Sequence, residues 1–309
     1  MDMKQSQDRE FRWACIGSGR IAHIVAKELL RSKRHRFVAF YSRNAQTSWE
    51  LAVKNDAIVA SSISEIMADE NIDGVYIATP PSVHYSQIME CLSWKKPVLA
   101  EKPFCINQIE AIEIIKRAKM ENVYFAEALC SVYGPKFAQI RGKMHSVGKI
   151  DEITVLYGLP ITLFSKESKA LKREYAGGAL TEIGVYGLTF IEKLLGQIGE
   201  IKDIEYIKKF DVDICERVIL DYSGVRVECL FSLDRFWYPR IRIRGRAGSV
   251  WIPFFNSPRQ GRGKYIYEFD AVAEEIRSGK KESMILSHNS LLRRTAVMDC
   301  IQKRMDIYR

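Results

Sequence analysis

The stretch Trp13-Ala14-Cys15-Ile16-Gly17-Ser18-Gly19-Arg20-Ile21-Ala22 decides how this chain is read. Its first residues form an apolar strand, and from Ile21 the residues Ile21, Ile24, Val25 and Leu29 recur at helical spacing. A G-x-G-x-x-A turn between a strand and a helix is the context that separates a nucleotide-binding turn from a chance match. The first glycine allows the tight turn, the second lets a phosphate approach the backbone, and Ala22 lets helix and sheet pack closely. The helix N-terminus offers unpaired N–H groups to an anion. Gly17, Ser18, Gly19, Arg20 and Ile21 are therefore candidate contacts for a dinucleotide pyrophosphate.

Outward from that turn, β-rich runs alternate with amphipathic stretches as far as Ala128, the pattern of a parallel sheet covered by helices. Strands are expected at Phe11 to Ile16, Phe37 to Tyr41, Ala57 to Val59, Gly74 to Ala78, Pro97 to Ala100 and Val123 to Ala126. Ser62 with Glu65, and Asn107 with Glu110, have the spacing of capping boxes. After Leu129 the texture changes. Ile153 to Gly158, Ile201 to Lys209, Arg217 to Tyr222, Val225 to Leu233 and Ile241 to Arg244 read as successive strands of an antiparallel sheet. Asp221-Tyr222-Ser223-Gly224 places a hairpin turn between two of them. Helices are expected at Leu180 to Leu195, Tyr267 to Ser278 and Ser287 to Arg304. The fold class is α/β, with a doubly wound parallel sheet in domain 1–128 and a mostly antiparallel sheet with helices in domain 129–309.

With 309 residues, 47% of them hydrophobic and 28% charged, the chain has globular composition and room for two domains of ~150 residues. No apolar run approaches the ~20 residues needed to span a bilayer. The start of the chain, Met1 to Arg12, is polar and lacks a secretory apolar core, so a cytoplasmic protein with no membrane partner is expected. Seven scattered cysteines without a C-x-x-C pair read as thiols in a reducing compartment, and no metal site is expected. The net charge of +9 is spread along the chain without interleaved aromatics, which argues against nucleic acid. A cationic site for a phosphorylated ligand uses the same charge.

At the end of the second strand stand Tyr41-Ser42-Arg43-Asn44. An Asp or Glu there holds the ribose hydroxyls of NAD, whereas an arginine suits the 2′-phosphate of NADP. Ser42 and Arg43 without a carboxylate therefore favour NADP over NAD. Ligands of open α/β sheets lie beyond the carboxyl ends of the strands, which brings in Thr79, Pro80 and His84 after the fourth strand and Glu101-Lys102-Pro103 after the fifth. Lys102, desolvated on one side, can donate to a substrate oxygen; Glu101 can anchor its ammonium or the cofactor ribose. In the second half, Gly177-Gly178 leads into a helix bearing Glu182 and Tyr186 four apart, where a carboxylate can orient a phenol that exchanges a proton.

These motifs, with Glu127-Ala128, Pro135 and the Tyr267 to Tyr308 tail, resemble the family of glucose–fructose oxidoreductase, inositol dehydrogenase and rhizopine catabolism proteins. The resemblance implies an N-terminal Rossmann domain and a C-terminal α/β domain whose large open sheet makes a homodimer or homotetramer. It carries a substrate-contacting role onto Lys102 and the acid/base position onto Tyr186, as in the dihydrodiol dehydrogenase branch, whose members usually take NADP. Glu182 and Ala176 depart from the family's usual Asp and Gly. The implied reaction is hydride transfer between NADP(H) and a small hydroxylated substrate: a sugar, polyol or dihydrodiol. The drift at Glu182 also fits an NADP-binding sensor without chemistry.

Overall fold

The computed structural model describes residues 9–196, 199–254 and 263–306; the chain's first eight and last three residues, Tyr308 among them, lie outside the described residues. Two compact units are present, one made of Met1–Phe104, Ile112–Cys130 and Pro258–His288, the other of Cys105–Ala111, Ser131–Ser257 and Asn289–Arg309.

In the first unit the expected alternation appears: β1 (Phe11–Ile16), α1 (Arg20–Leu29), β2 (His35–Tyr41), α2 (Ala45–Asn55), β3 (Ile58–Val59), α3 (Ile63–Ala68), β4 (Gly74–Ile77), α4 (His84–Ser93), β5 (Val98–Glu101), α5 (Gln108–Glu121) and β6 (Phe125–Ala128). The strands lie in the order β3-β2-β1-β4-β5-β6, all parallel. That is the doubly wound order with its switch point between β1 and β4. Both expected caps form, with a shift. Ser62 Oγ accepts from Glu65 N at 3.1 Å and Asn107 Oδ1 from Glu110 N at 2.9 Å. The glutamates, however, reach Ser61 N and Ile106 N, one residue further out than a capping box requires.

The second unit takes in the first turn of α5, Gln108 to Ala111, then α6 (Cys130–Tyr133), which also straddles the division, and continues with α7 (Pro135–Met144), β7 (Ile150–Gly158) and α8 (Ile161–Phe164). Next come α9 (Val185–Leu195), β8 (Glu200–Lys209), β9 (Val212–Tyr222), β10 (Val225–Ser232), β11 (Trp237–Gly245) and β12 (Gly248–Pro253). Sheet order is β12-β11-β7-β10-β9-β8. The pairings are antiparallel except β7 with β10, which run parallel, so the sheet is mixed. β12 was not anticipated, because its glycine, serine and proline mask the alternation. The hairpin is as expected: Tyr222 pairs with Val225, and Ser223 and Gly224 take φ of 54° and 89°, the positive pair that a two-residue turn needs. The helix expected at Leu180 to Leu195 begins instead as a π-helical turn, Leu180–Gly184, before α9.

Of the two closing helices, α10 (Ile266–Arg277) falls in the first unit, and α11 (His288–Met305) falls in the second apart from its first residue. Glu28 of α1 caps α10 by accepting from Tyr265 N and Ile266 N, each at 2.7 Å. Phe269 of α10 then meets Trp13, Tyr76 and Phe37 with ring centroids 5.0, 5.3 and 6.1 Å away. These three rings come from neighbouring strands, so one side chain closes the core beneath the sheet. In the second unit α11 is tied to α9: Arg293 Nε donates to Glu192 Oε1 at 2.9 Å and Arg294 Nη1 to Thr189 Oγ1 at 3.2 Å. Phe269→Ala should cost about 3–5 kcal/mol, the range for deleting a buried aromatic, read by urea denaturation. A loss below ~1 kcal/mol would show that the core does not depend on α10.

Candidate active site

Gly17 is where two strand ends of the first unit approach through backbone alone. Its φ is +113°, and a Cβ there would stand 2.6 Å from the Ala78 carbonyl oxygen, so no other residue fits. Over Gly19 the nearest atom to such a Cβ is 4.0 Å away, which leaves that backbone open to a ligand. α1 starts at Arg20 with no side chain capping it, so its first N–H groups keep their capacity for an anion. These features fit a dinucleotide pyrophosphate at residues Gly17 to Ile21.

The end of β2 is bound to that turn by hydroxyls. Ser18 Oγ donates to Ser42 Oγ at 2.7 Å and lies 2.5 Å from Thr47 Oγ1, and Ser48 Oγ donates to Ser42 Oγ at 2.9 Å. Asn44 caps α2 by accepting from Thr47 N at 3.3 Å. Arg43 is exposed beside this cluster. Thr47 and Ser48 were not singled out in the sequence; the N-x-x-T cap spacing was the available signal.

After β4 and β5 the two loops are braced by His84. Its ring is fully buried, with Nε2 2.8 Å from the Thr79 carbonyl oxygen and Nδ1 2.9 Å from that of Pro103. Both nitrogens face backbone carbonyl oxygens, which favour the doubly protonated ring, but burial outweighs them and lowers the imidazole pKa, and the neutral ring donates to one of the two. Thr79 Oγ1 donates to Gln87 Oε1 at 2.6 Å, and Pro80 leads into a short turn before α4. Lys102 is half-buried and its peptide bond to Pro103 is cis. Glu101 faces the core: Tyr76 Oη donates to its Oε1 at 2.6 Å and Lys102 N to its Oε2 at 3.2 Å, and burial raises its pKa. Glu127, fully buried, accepts from Phe104 N at 3.0 Å and so holds the residue after the cis proline. Tyr76 was also missed, because a polar group inside an apolar strand carries no local signal.

In the second unit Glu182 lies in the π-helical turn and Tyr186 at the second position of α9, both half-buried. Tyr186 packs edge-on against Tyr157 of β7, with centroids 5.9 Å apart at 62°. The helix is pressed onto the sheet where side chains are absent: a Cβ on Gly187 would be 2.7 Å from Val155 and 2.9 Å from Phe231. π-helical turns of this kind recur at functional sites.

A switch-point nucleotide cradle with a braced Lys102 loop, together with a second sheet that carries a tyrosine helix, belongs to an NAD(P)-dependent oxidoreductase acting on CH–OH groups. Residues 11–128 match the Gfo/Idh/MocA model, the oxidoreductase family with the NAD-binding Rossmann fold. The chain is 30% identical to a trans-1,2-dihydrobenzene-1,2-diol dehydrogenase of Xenopus laevis, over 79% of this chain and 76% of that one. It is 28% identical to the scyllo-inositol 2-dehydrogenase (NADP(+)) IolU of Bacillus subtilis, over 96% and 97%. Its fold is that of KijD10, a 3-ketoreductase from Actinomadura kijaniata solved with NADP and TDP-benzene, at a TM-score of 0.87, 20% identity and coverage of 96% and 98%. The chain belongs to the Gfo/Idh/MocA family.

One further acid of the first unit is buried near Glu101 and Glu28. Glu268 of α10 is fully buried, neither carboxylate oxygen has a hydrogen-bond partner among the described residues, and burial together with the charges of Glu101 and Glu28 pushes its pKa well above the carboxylate range. A carboxyl whose native pKa exceeds its unfolded value of about 4.3 stabilises the fold below that value, and this contribution is lost as pH rises toward the native pKa. Glu268→Gln should therefore raise the melting temperature relative to wild type, with a gap that widens from about pH 5 to about pH 8. Calorimetry checks this; parallel curves for the two proteins would refute it.

Proposed function

We propose that this protein is an NADP(H)-dependent dehydrogenase of a secondary alcohol on a sugar, cyclic polyol or dihydrodiol ring. The observation that carries the cofactor assignment is the end of β2, where Ser18, Ser42, Thr47 and Ser48 converge beside Arg43 and residues 41–48 contain no carboxylate. Hydroxyls and a guanidinium suit a 2′-phosphate; a ribose diol calls for an acceptor carboxylate. The NADP dependence in the name of the Bacillus relative supports the same reading. The nicotinamide, when bound, supplies the hydride acceptor or donor.

The chain's own residues handle the proton. In the oxidation direction Tyr186, as phenolate, takes the proton of the substrate hydroxyl while the C–H bond is broken. Lys102 donates a hydrogen bond to the same oxygen and favours the phenolate, and Glu182 orients the group. Substrate choice would fall to Arg235, Trp237, Tyr238 and Arg240. Arg235 pairs with Asp234 and lies 5.5 Å over the Trp237 ring, while Arg240 lies 4.4 Å over Trp251. Stacked rings with fixed cations suit a hydroxylated ring.

We also infer a cytoplasmic homodimer or homotetramer built through the second sheet. Every described cysteine is a free thiol, and no helix among the described residues is long and apolar enough to cross a membrane. One face of that sheet buries Val155, Val218, Val227, Ile241 and Ile243, while the other carries half-exposed Leu156, Ile219 and Leu230 among paired charges such as Arg217 and Glu228.

Tyr186→Phe should abolish turnover of scyllo-inositol, trans-dihydrodiols or sugars, followed at the NADPH absorbance band, while leaving NADP affinity unchanged. Surviving activity would move the acid/base role elsewhere. Arg43→Ala should raise KM for NADPH by about ten- to a hundredfold, as expected for losing a charged hydrogen bond, and leave KM for NADH nearly unchanged. Equal effects on both cofactors would overturn the 2′-phosphate assignment.

A further inference from the structure

Two buried acids of the second unit have no part in the chemistry above: Asp213 and Glu216 on β9, each 1% exposed. Asp213 Oδ2 accepts from Leu180 N at 2.7 Å, the first residue of the π-helical turn that leads to Tyr186. Its other oxygen, Oδ1, is so close to Gly178 that a Cβ on that residue would stand 2.2 Å away. Gly178 also takes φ of +124°, and a Cβ on Gly177 would meet the Ala170 carbonyl oxygen at 2.4 Å. The Gly177–Gly178 pair is therefore a socket: the second glycine leaves the space that a carboxylate from a strand fills.

Among the described residues no cation compensates either acid. Burial is the largest influence on both, and among the described residues the side-chain charge acting on Glu216 is that of Asp213. Neither oxygen of Glu216 has a hydrogen-bond partner among the described residues, and its pKa lies well above the ordinary range, so it carries its proton. The N–H groups of Leu180, Asp213 and Ala179 favour the ionised form of Asp213, yet burial prevails and its pKa is pushed up to about 7. Around the pair stand Cys215 on β9 and Cys229 on β10, both pushed upward by burial and so held as thiols. Lys208 and Tyr206 of β8 lie opposite Asp213 and Glu216 in register, and Glu182 follows on the helix.

We propose that Asp213 is a positioning residue for the hydride-transfer reaction: its carboxylate clamps the start of the π-helical turn on the Gly178 socket and so fixes how Glu182 and Tyr186 are presented. The inference rests on the assignment of proton transfer to Tyr186. An ionised carboxylate holds N–H groups at a helix start more strongly than a neutral acid does. The clamp is accordingly tight when Asp213 is charged, and kcat should rise with pH through about 7. Stability runs the other way. The native pKa lies above the unfolded value, so the stabilisation present at low pH is lost as pH rises through about 7.

Asp213→Asn keeps the shape and removes the charge. It should lower kcat by about ten- to a hundredfold, the scale of a misplacement near 1 Å, and flatten the rise of kcat near neutrality. NADP affinity should be unchanged, and the melting temperature at pH 8 should equal or exceed that of wild type. Hydrogen exchange at the Leu180 amide should accelerate, a readout that needs no substrate. Should that variant fail to fold, the wild-type protein decides: exchange at the Leu180 amide, corrected for its intrinsic pH dependence, should slow as pH rises through about 7, and exchange indifferent to that titration overturns the clamp. A wild-type kcat and pH profile in Asp213→Asn overturns the proposal. So does a kcat loss matched by an equal loss of stability with unchanged Leu180 exchange, because that marks a purely structural acid. Turnover surviving in Tyr186→Phe overturns the acid/base reading instead, and the Leu180 exchange then still decides whether the clamp exists.

Discussion

The first unit depends on a close approach that only glycine permits. At Gly17 the backbone adopts φ of +113° with a hypothetical Cβ 2.6 Å from the Ala78 carbonyl oxygen, which brings the ends of β1 and β4 together at the switch point of the sheet. From that contact the remaining parts follow. The Ser18 hydroxyl, placed just after Gly17, reaches Ser42 and Thr47 and ties in the end of β2. The loop after β4, lying against Gly17, is joined by His84 to the loop that carries Lys102. A single main-chain constraint thus sets four strand ends in register, and the bulk of any side chain at position 17 would be felt at all of them.

Much of this was legible in the sequence because it is local. Apolar runs, a glycine turn between strand and helix, and acid–amide caps are short-range signals, and the six strands of the first sheet fall within a few residues of their expected places. What is not local was less legible. The parallel pairing of β7 with β10 joins residues more than seventy positions apart, and nothing in either strand names its neighbour. The same holds for Phe269, whose packing under Trp13, Phe37 and Tyr76 links the ends of the chain's sequence. The caps show a finer limit: spacing predicted Ser62 and Asn107 correctly, yet which N–H each glutamate takes in return depends on the path of the preceding loop.

The site divides along the same line. The glycines, Lys102 and Tyr186 could be named because each stands in a short motif at a predictable strand or helix end. Tyr76, Asp213 and Glu268 could not, since their importance comes from burial, and an acid or phenol in an apolar segment reads as an ordinary interruption; Glu127 was visible only as part of the Glu127-Ala128 motif, with no hint of the Phe104 N–H it accepts from. The departure of Glu182 from the family's aspartate gains a structural setting here. It falls in a π-helical turn and not in regular helix, so the extra methylene sits on a backbone whose hydrogen bonding also differs from an α-helix.

Both units bury carboxyl groups whose desolvation outweighs every nearby charge, Lys264 beside Glu268 included, and the physical consequence is the same in each. An unpaired ionised carboxylate in a protein interior costs several kcal/mol, so Glu268 and Glu216 keep their protons instead. Neutrality matters where these groups stand. The first unit presents the uncapped N-terminus of α1 together with Lys102, a positive edge suited to phosphates and to a developing oxyanion. A charged Glu268 behind that edge would oppose the field it offers, and a protonated one does not. In the second unit a neutral Glu216 leaves Asp213 as the only member of the pair able to ionise near neutrality, so that the charge falls where backbone N–H groups can receive it. Each buried acid costs stability at neutral pH, a cost tolerated at working sites more than in structural cores.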